Sequence, residues 1–319
     1  MLKYLKLNDC HIISGKRFAS ELSYQLFGCP LHTAPIVLVN HALTGNSNVS
    51  GESGWWSSLI GPKKTIDTNN YTVLAFNIPG NGFDGKPDNL ITNYKDYVAK
   101  DIANIFLYGL EFLGIDQLHS IIGGSLGGGI AWEMIVLNPK ITKHLIPIAS
   151  DWKSTDWIIA NCLIQEQFLL NSSNPVNDAR MHAMLCYRTP DSFEQRFEGS
   201  MSKGSKLFNI ESWLIHHGEK LQKRFQLSSY KLMNQLLKTI DITSNSKNIL
   251  NLLISIEAEI HIIDIESDLF FVNKKNKKII NLAQKEKHNL YYHQIRSIHG
   301  HDAFLIEYDQ LNSILGSVF

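Results

Sequence analysis

The sequence predicts an α/β fold with a mostly parallel central sheet, and three observations support this. Nearly continuous apolar runs rich in β-branched residues, at 35–40 and 71–76, are typical of strands covered on both faces. Segments with apolar residues at helical spacing lie between such runs. Strand and helix therefore alternate along the first half of the chain, which indicates parallel pairing through right-handed crossovers.

The composition excludes several classes of function. The chain has 319 residues, with 30 Lys and Arg against 30 Asp and Glu, and no polycationic stripe suggests a nucleic-acid partner. No apolar run is long enough to span a bilayer, and we expect neither a membrane segment nor a secretory leader. The four cysteines are far apart and form no C-x-x-C pair, so we expect reduced thiols in a cytoplasmic protein.

The first half of the chain can be assigned in order. Residues 1–30 alternate short apolar and polar runs, which predicts an opening antiparallel hairpin or meander. The strand at 35–40 leads into a Gly-ended loop, and residues 46–70 are loop-like before the strand at 71–76. Apolar residues at helical spacing then predict a helix from Tyr94 to Leu113, packed on the sheet.

The rhythm changes after residue 150. A helical pattern without a clear strand continues to about residue 240, and the sheet resumes at 259–265 and 290–295. This predicts two core segments, 1–153 and 244–319, with a helical lid inserted at 154–243. The candidate lid helices are Ile158–Leu170, Ala179–Tyr187, Phe193–Phe197, Ile210–Phe225 and Ser229–Ile240.

A Gly-x-Ser-x-Gly pentapeptide, residues 123–127, lies between the apolar run at 121–122 and a helical pattern. A strand, a sharp turn and a helix in this order form the nucleophile elbow of the α/β-hydrolase fold, where the residues beside the nucleophile must be small. Ser125 is then the candidate nucleophile at a helix N-terminus, which favours a developing oxyanion. A Gly-rich turn that merely joins a strand to a helix has the same pattern, so the pentapeptide alone is a weak signal.

A serine hydroxyl needs a histidine base, and the base needs an orienting carboxylate. In this fold the acid follows a late strand and the histidine follows the last one. Asp268 and His301 fit these positions, with Glu266 and His299 as the competitors. We favour Asp268 because it lies further into its loop, and His301 because a glycine precedes it and a helix is predicted to begin directly after it.

With these residues in place, the sequence resembles the homoserine O-acetyltransferase family of α/β-hydrolase acyltransferases over nearly its whole length. Many members of that family carry Met where this elbow has Leu126. The matching segments occur in the family's order. They are His41–Gly45, Gly54–Trp56, Leu59–Pro62, Asp67–Thr68, Gly123–Gly128, Ala179–Met181, Tyr187–Arg188, Glu194–Phe197, Asp268–Phe270 and Gly300–Leu305.

The resemblance implies a ping-pong mechanism. Ser125 would attack acetyl-CoA with His301 as the base, and the hydroxyl of homoserine would then take the acetyl group from the serine. The backbone N–H groups of Leu43 and Leu126 would hold the oxyanion. Acetyl-CoA would be a co-substrate, with no bound cofactor and no metal expected.

The resemblance also implies how the amino-acid substrate is held. Arg180 would bind its carboxylate and Asp302 its ammonium group, with Tyr187 nearby. A homodimer paired through the lids is expected, as in family members.

One segment departs from the family pattern, because the chain is shorter between Gln165 and Arg180 and has Asn171–Pro175 there. Donor and acceptor preference therefore stay open. The alternatives are an esterase or thioesterase of the same fold, an O-succinyltransferase and a serine O-acyltransferase.

Overall fold

A sheet of eight strands runs through the centre of the protein. The computed structural model describes residues 1–7, 10–18, 20–201, 204, 206–244, 248–272 and 275–319. The strands found there are β1 (Lys3–Lys6), β2 (Glu21–Gly28), β3 (Ile36–Asn40), β4 (Ile60–Gly61), β5 (Ile66–Asp67), β6 (Thr72–Phe76), β7 (Leu118–Gly124), β8 (Thr142–Ile148), β9 (Glu259–Ile265) and β10 (Leu290–Ile295). Their order in the main sheet is β1-β2-β6-β3-β7-β8-β9-β10, and β4 pairs with β5 separately.

The sheet is parallel except at one edge. β1 pairs with β2 and β2 with β6 in antiparallel fashion, and every later pairing in the main sheet is parallel. The predicted antiparallel opening and mostly parallel sheet are therefore confirmed. The stretch at 46–70 differs from its loop assignment, since it contains the short parallel pair β4 and β5.

Helices cover both faces of the sheet, which is why every residue of β3 and β6 is buried. The helices in the described residues are α1 (Ala99–Phe112), α2 (Leu126–Leu137), α3 (Asp156–Asn171), α4 (Pro175–Tyr187), α5 (Pro190–Phe197), α6 (Asn209–Gln222), α7 (Leu227–Lys238), α8 (Ile249–Ser255), α9 (Asn276–Glu286) and α10 (Tyr308–Leu315). Short 3-10 helices span Pro87–Asn89, Tyr94–Asp96 and Gly300–Leu305. None of the described helices is long and apolar enough to cross a membrane.

The predicted helix at Tyr94–Leu113 begins later than its apolar spacing suggested. A 3-10 turn occupies Tyr94–Asp96, and α1 begins at Ala99. The carboxylate of Asp101 accepts the N–H of Val98 at 2.9 Å, which satisfies a free donor of the first turn and fixes the start. Hydrophobic spacing alone does not reveal this cap.

The five helices α3 to α7 lie between β8 and β9 in the chain. The two ends of this insertion run side by side, because Ser154 N–H donates to Ile240 O at 2.8 Å and Ile242 N–H donates to Trp152 O at 3.1 Å. Lys153 and Asp241 form an ion pair of 2.9 Å at the same place. The division into 1–153, 154–243 and 244–319 stays a prediction that this narrow connection supports.

Candidate active site

The elbow places Ser125 in a strained backbone conformation. Ser125 lies between β7 and α2 with φ 56° and ψ −124°, a region that non-glycine residues seldom adopt. A Cβ atom on Gly123 would lie 2.5 Å from the carbonyl oxygen of Gly127, and one on Gly127 would lie 2.2 Å from that of Asn40. The small residues are therefore required by close backbone packing under the nucleophile.

The structure brings Ser125, His301 and Asp268 into one hydrogen-bonded chain. His301 Nε2 lies 3.0 Å from Ser125 Oγ, and His301 Nδ1 lies 2.8 Å from Asp268 Oδ2. The other carboxylate oxygen, Oδ1, accepts the N–H groups of Phe270 at 2.7 Å and Phe271 at 2.9 Å. With both oxygens occupied, the carboxylate cannot rotate, and Nδ1 of His301 must carry the proton that it donates to Oδ2. Nε2 is then a free base facing the serine.

The two competing residues lie elsewhere. Glu266 is exposed, and its backbone N–H pairs with Ile295 O. His299 Nδ1 lies 3.0 Å from Ser192 Oγ on α5. The preference for Asp268 and His301 therefore agrees with the geometry.

Four aromatic rings enclose the imidazole of His301. The ring centroids of Tyr187, Phe270, Phe271 and Phe304 lie 5.3–5.7 Å from that of His301. His301 itself is only 3 % exposed. This packing fixes the ring and keeps water from the Nδ1 side, where it would compete for the carboxylate.

The two predicted oxyanion donors lie at the carboxyl ends of neighbouring strands. Leu43 follows β3 and Leu126 begins α2 directly after β7, so both lie at the edge of the sheet that carries Ser125. The structure adds His41, which sequence reasoning did not single out. Its Nε2 accepts the N–H of Ile78 at 2.9 Å and its Nδ1 donates to Ala42 O at 2.8 Å, so it fixes the loop before Leu43.

His41 is suited to this task because it stays neutral. Burial lowers its pKa to about 4, and a neutral imidazole has one donor and one acceptor, as these two contacts require. The sequence signal that could have identified it is a histidine placed directly after a fully buried strand.

The predicted substrate-binding residues gather beside the triad. Arg180 on α4 lies with its guanidinium carbon 5.5 Å from the ring centre of Tyr187. Burial raises the pKa of Asp302, and the charges of Arg180, His301 and Arg188 oppose this rise. Arg188 was not predicted as a substrate ligand, yet its Nε lies 3.4 Å from Asp302 Oδ2. The guanidinium of Arg180 and the carboxylate of Asp302 thus lie close to His301, the candidate base.

A small cavity adjoins these residues. Leu43, Tyr187 and Phe270 form its side towards the triad, and residues of α3, α4 and α7 close the far side. Tyr230 OH donates to Gln165 Oε1 at 3.1 Å across this far wall. The cavity therefore lies between Tyr187 and Phe270, which pack on His301, and the helices α3, α4 and α7.

Comparison with known proteins places the chain in a family. The family model for the alpha/beta hydrolase fold matches residues 35–197. The chain is 31% identical to a homoserine O-acetyltransferase of Cyclobacterium marinum, over 89% of this chain and 84% of that protein, and 30% identical to one of Chloroherpeton thalassium, over 88% and 78%. This chain belongs to the homoserine O-acetyltransferase family.

Solved structures show the same fold. Homoserine O-acetyltransferase from Bacillus anthracis superposes with a TM-score of 0.85 at 20% identity, over 100% of this chain and 97% of that one. An acetylester hydrolase from Corynebacterium glutamicum superposes with a TM-score of 0.81 at 17% identity, over 100% and 95%. At these identities the likeness shows the fold, which hydrolases and transferases share.

The departure from the homoserine O-acetyltransferase pattern is a tight turn between α3 and α4. Asn174 N–H donates to Ser172 Oγ at 2.9 Å, the hydroxyl of Ser172 donates to Asp178, and Pro175 begins α4. Gln165 Nε2 contacts His182 Nδ1 at 2.9 Å between the two helices. The shorter segment therefore keeps α4, and with it Arg180, packed on α3.

Proposed function

We propose that this protein transfers the acetyl group of acetyl-CoA to the hydroxyl of L-homoserine through an acetyl-serine intermediate. The observation that carries the proposal is the Ser125–His301–Asp268 chain of hydrogen bonds in a member of the homoserine O-acetyltransferase family. Acetyl-CoA acts as a co-substrate.

In the first half-reaction, Ser125 Oγ attacks the thioester carbonyl while His301 Nε2 takes its proton. The carbonyl oxygen becomes an oxyanion, which the N–H groups of Leu43 and Leu126 would stabilise. Collapse breaks the carbon–sulfur bond, His301 returns the proton to the departing sulfur, and CoA leaves as the thiol. Asp268 holds the imidazolium in place throughout.

In the second half-reaction, the homoserine hydroxyl occupies the position that CoA has left. His301 Nε2 removes its proton, the hydroxyl oxygen attacks the acetyl carbon, and the serine is restored when His301 returns the proton to Oγ. Water could follow the same path. The enclosed aromatic surroundings of His301 support transfer over hydrolysis because they limit access of water.

Recognition of the acceptor would rest on Arg180, Asp302 and Tyr187. Arg180 offers two parallel donors to the carboxylate of the amino acid, and Asp302 accepts its ammonium group. Asp302 directly follows the base in the chain, so a substrate anchored there lies within reach of His301.

Thiol release from acetyl-CoA, measured with and without L-homoserine, tests this proposal. We expect release to depend on homoserine and to disappear in Ser125→Ala. Equal release without an acceptor would indicate an esterase or thioesterase. Runs with succinyl-CoA and with L-serine decide between the donor and acceptor alternatives, since one methylene contributes only about 1–3 kcal/mol to discrimination.

We also propose that two copies pair through residues 154–243, the proposed lid. Ile159, Leu163 and Leu170 share one face of α3 and are 38–51% exposed, and apolar side chains grouped in this way favour association. Sedimentation of wild type and Leu163→Glu tests this, and we expect only the variant to sediment as a monomer.

A cytoplasmic location is proposed because all four cysteines are free and acetyl-CoA is an intracellular co-substrate.

A further inference from the structure

Two histidines and a glutamate converge at the edge of the sheet opposite the triad. His144 is the third residue of β8, and Glu259 and His261 are the first and third residues of β9. His144 and Glu259 are register partners in the parallel pair. Along β9, the distance from this edge to the end that leads into Asp268 is about 20 Å, since a parallel strand rises about 3.3 Å per residue.

The three side chains direct their ligand atoms at a common point. Glu259 Oε2 lies 3.6 Å from His144 Nδ1 and 3.7 Å from His261 Nε2, and one ligand atom from each residue lies within 4.8 Å of the others. The His261 side chain is only 6% exposed. Among the described residues, neither of these two buried nitrogens has a hydrogen-bond partner.

Unpartnered buried nitrogens are costly, and the carboxylate is too far away to satisfy them by hydrogen bonds. Ligands bound to zinc at about 2.0–2.2 Å in a tetrahedron lie roughly 3.3–3.6 Å apart, close to the separations of 3.6 and 3.7 Å between Glu259 Oε2 and the two histidine nitrogens. A metal binds histidine in its neutral form, through the lone pair of the nitrogen that faces the ion. An ion between the three groups would satisfy all of them.

Neighbouring rings hold the imidazoles in this orientation. Tyr291 stacks on His261 at 5.0 Å between ring centroids, and His119 lies 5.0 Å from His144. The Glu259 side chain is 44% exposed, so an ion could enter from solvent and complete its coordination with water. Ligands held in position before binding are a feature of built metal sites.

We propose that His144, Glu259 and His261 bind one divalent transition-metal ion, with Zn²⁺ the best match to a His₂Glu ligand set. The ion would join β8, the last strand before the inserted helices, to β9, the first strand after them. Its role is to stabilise this junction, and it takes no part in acyl transfer.

The test uses tag-free protein stripped with a chelator, reloaded with Zn²⁺ and desalted, with retained metal measured by mass spectrometry. We expect one ion per chain in wild type and in His288→Gln, a change of an exposed histidine outside the cluster. His261→Gln and Glu259→Gln should bind at least about tenfold more weakly, since changes even in the outer shell of a metal site cost 10–100-fold. Co²⁺ loaded in place of Zn²⁺ should give the visible absorption of a four-coordinate N/O site in wild type and in His288→Gln, but not in His261→Gln or Glu259→Gln.

Glu259→Gln alters a half-exposed side chain, so it keeps the test valid if His261→Gln fails to fold. Zn²⁺ should raise the melting temperature of wild type and His288→Gln but not of Glu259→Gln. Less than stoichiometric retention in wild type, or equal retention in Glu259→Gln and His288→Gln, would overturn the proposal. Homoserine-dependent thiol release should be equal in stripped and loaded protein, which separates this site from the proposed function.

Discussion

Replacing Asp268 by Asn should disable the base without changing the shape of the site. The two backbone N–H groups of Phe270 and Phe271 donate to Oδ1, so the carbonyl oxygen of the new amide will keep that position. The amide NH₂ then occupies the position of Oδ2, 2.8 Å from His301 Nδ1. Two donors cannot face each other, so the imidazole must carry its proton on Nε2 instead.

The size of the effect follows from this change of tautomer. An Nε2–H group 3.0 Å from Ser125 Oγ cannot accept the serine proton. Loss of the correct tautomer in a Ser-His-Asp triad lowers kcat about 10⁴-fold. Each tenfold change is about 1.4 kcal/mol of activation free energy, so the expected loss is about 5.5 kcal/mol.

The assay is homoserine-dependent thiol release from acetyl-CoA, with the melting temperature as a check on folding. Glu266→Gln is the matched control, because Glu266 is the neighbouring carboxylate and is exposed. It should keep a rate close to that of wild type. Asp268→Asn activity within tenfold of wild type, or a large loss in Glu266→Gln, would refute the assignment of Asp268.

Three further changes test the surroundings of the triad. Burial lowers the pKa of His41 to about 4, so its contribution to stability is present above pH 6.5 and is lost as the pH falls towards 4. Over that range the free energy of unfolding in urea should fall by about 3 kcal/mol less in His41→Gln than in wild type. An equal fall in the two proteins would contradict this. Gly127→Ala should cost more than about 4 kcal/mol of unfolding free energy, because its Cβ meets a backbone carbonyl that cannot move away. Gly129→Ala meets the Cδ1 and Cγ1 atoms of the Ile240 side chain and gains up to about 1 kcal/mol of helix propensity, so it should cost less. Equal costs in denaturant titrations would be inconsistent with this packing. Asp302→Asn should raise the KM for homoserine roughly thirtyfold while acetyl-serine still forms at the wild-type rate, and an unchanged KM would remove Asp302 from the acceptor site.

Local patterns predicted the parts of the fold that local physics determines. The predicted strands at 259–265 and 290–295 match β9 and β10. β9 is an isoleucine-rich run buried on both faces, which leaves few other conformations. β10 is the edge strand, and its apolar and aromatic residues favour an extended chain although it is only partly buried. The meeting of Ser125, Asp268 and His301 could be anticipated because each follows a parallel strand, and parallel strands end at one edge.

Features that depend on long-range contacts were not predictable in this way. The late start of α1 depends on Asp101, whose other carboxylate oxygen accepts the N–H of Ile13 at 2.6 Å, from a segment 88 residues away. The pairing of Arg188 with Asp302 likewise joins the residue after α4 to the 3-10 helix that follows β10. The cluster of His144, Glu259 and His261 has no sequence spacing that marks it, because its ligands come from two strands that are neighbours only in the folded sheet.

The measurement that tests the central claim most directly is the intact mass of the protein after mixing with acetyl-CoA alone. We expect one acetyl group per chain, located on the peptide that contains Ser125, and its rapid loss as O-acetylhomoserine when L-homoserine is added. Absence of the acetyl group, or its loss to water at a rate that homoserine does not change, would contradict transfer through an acetyl-serine.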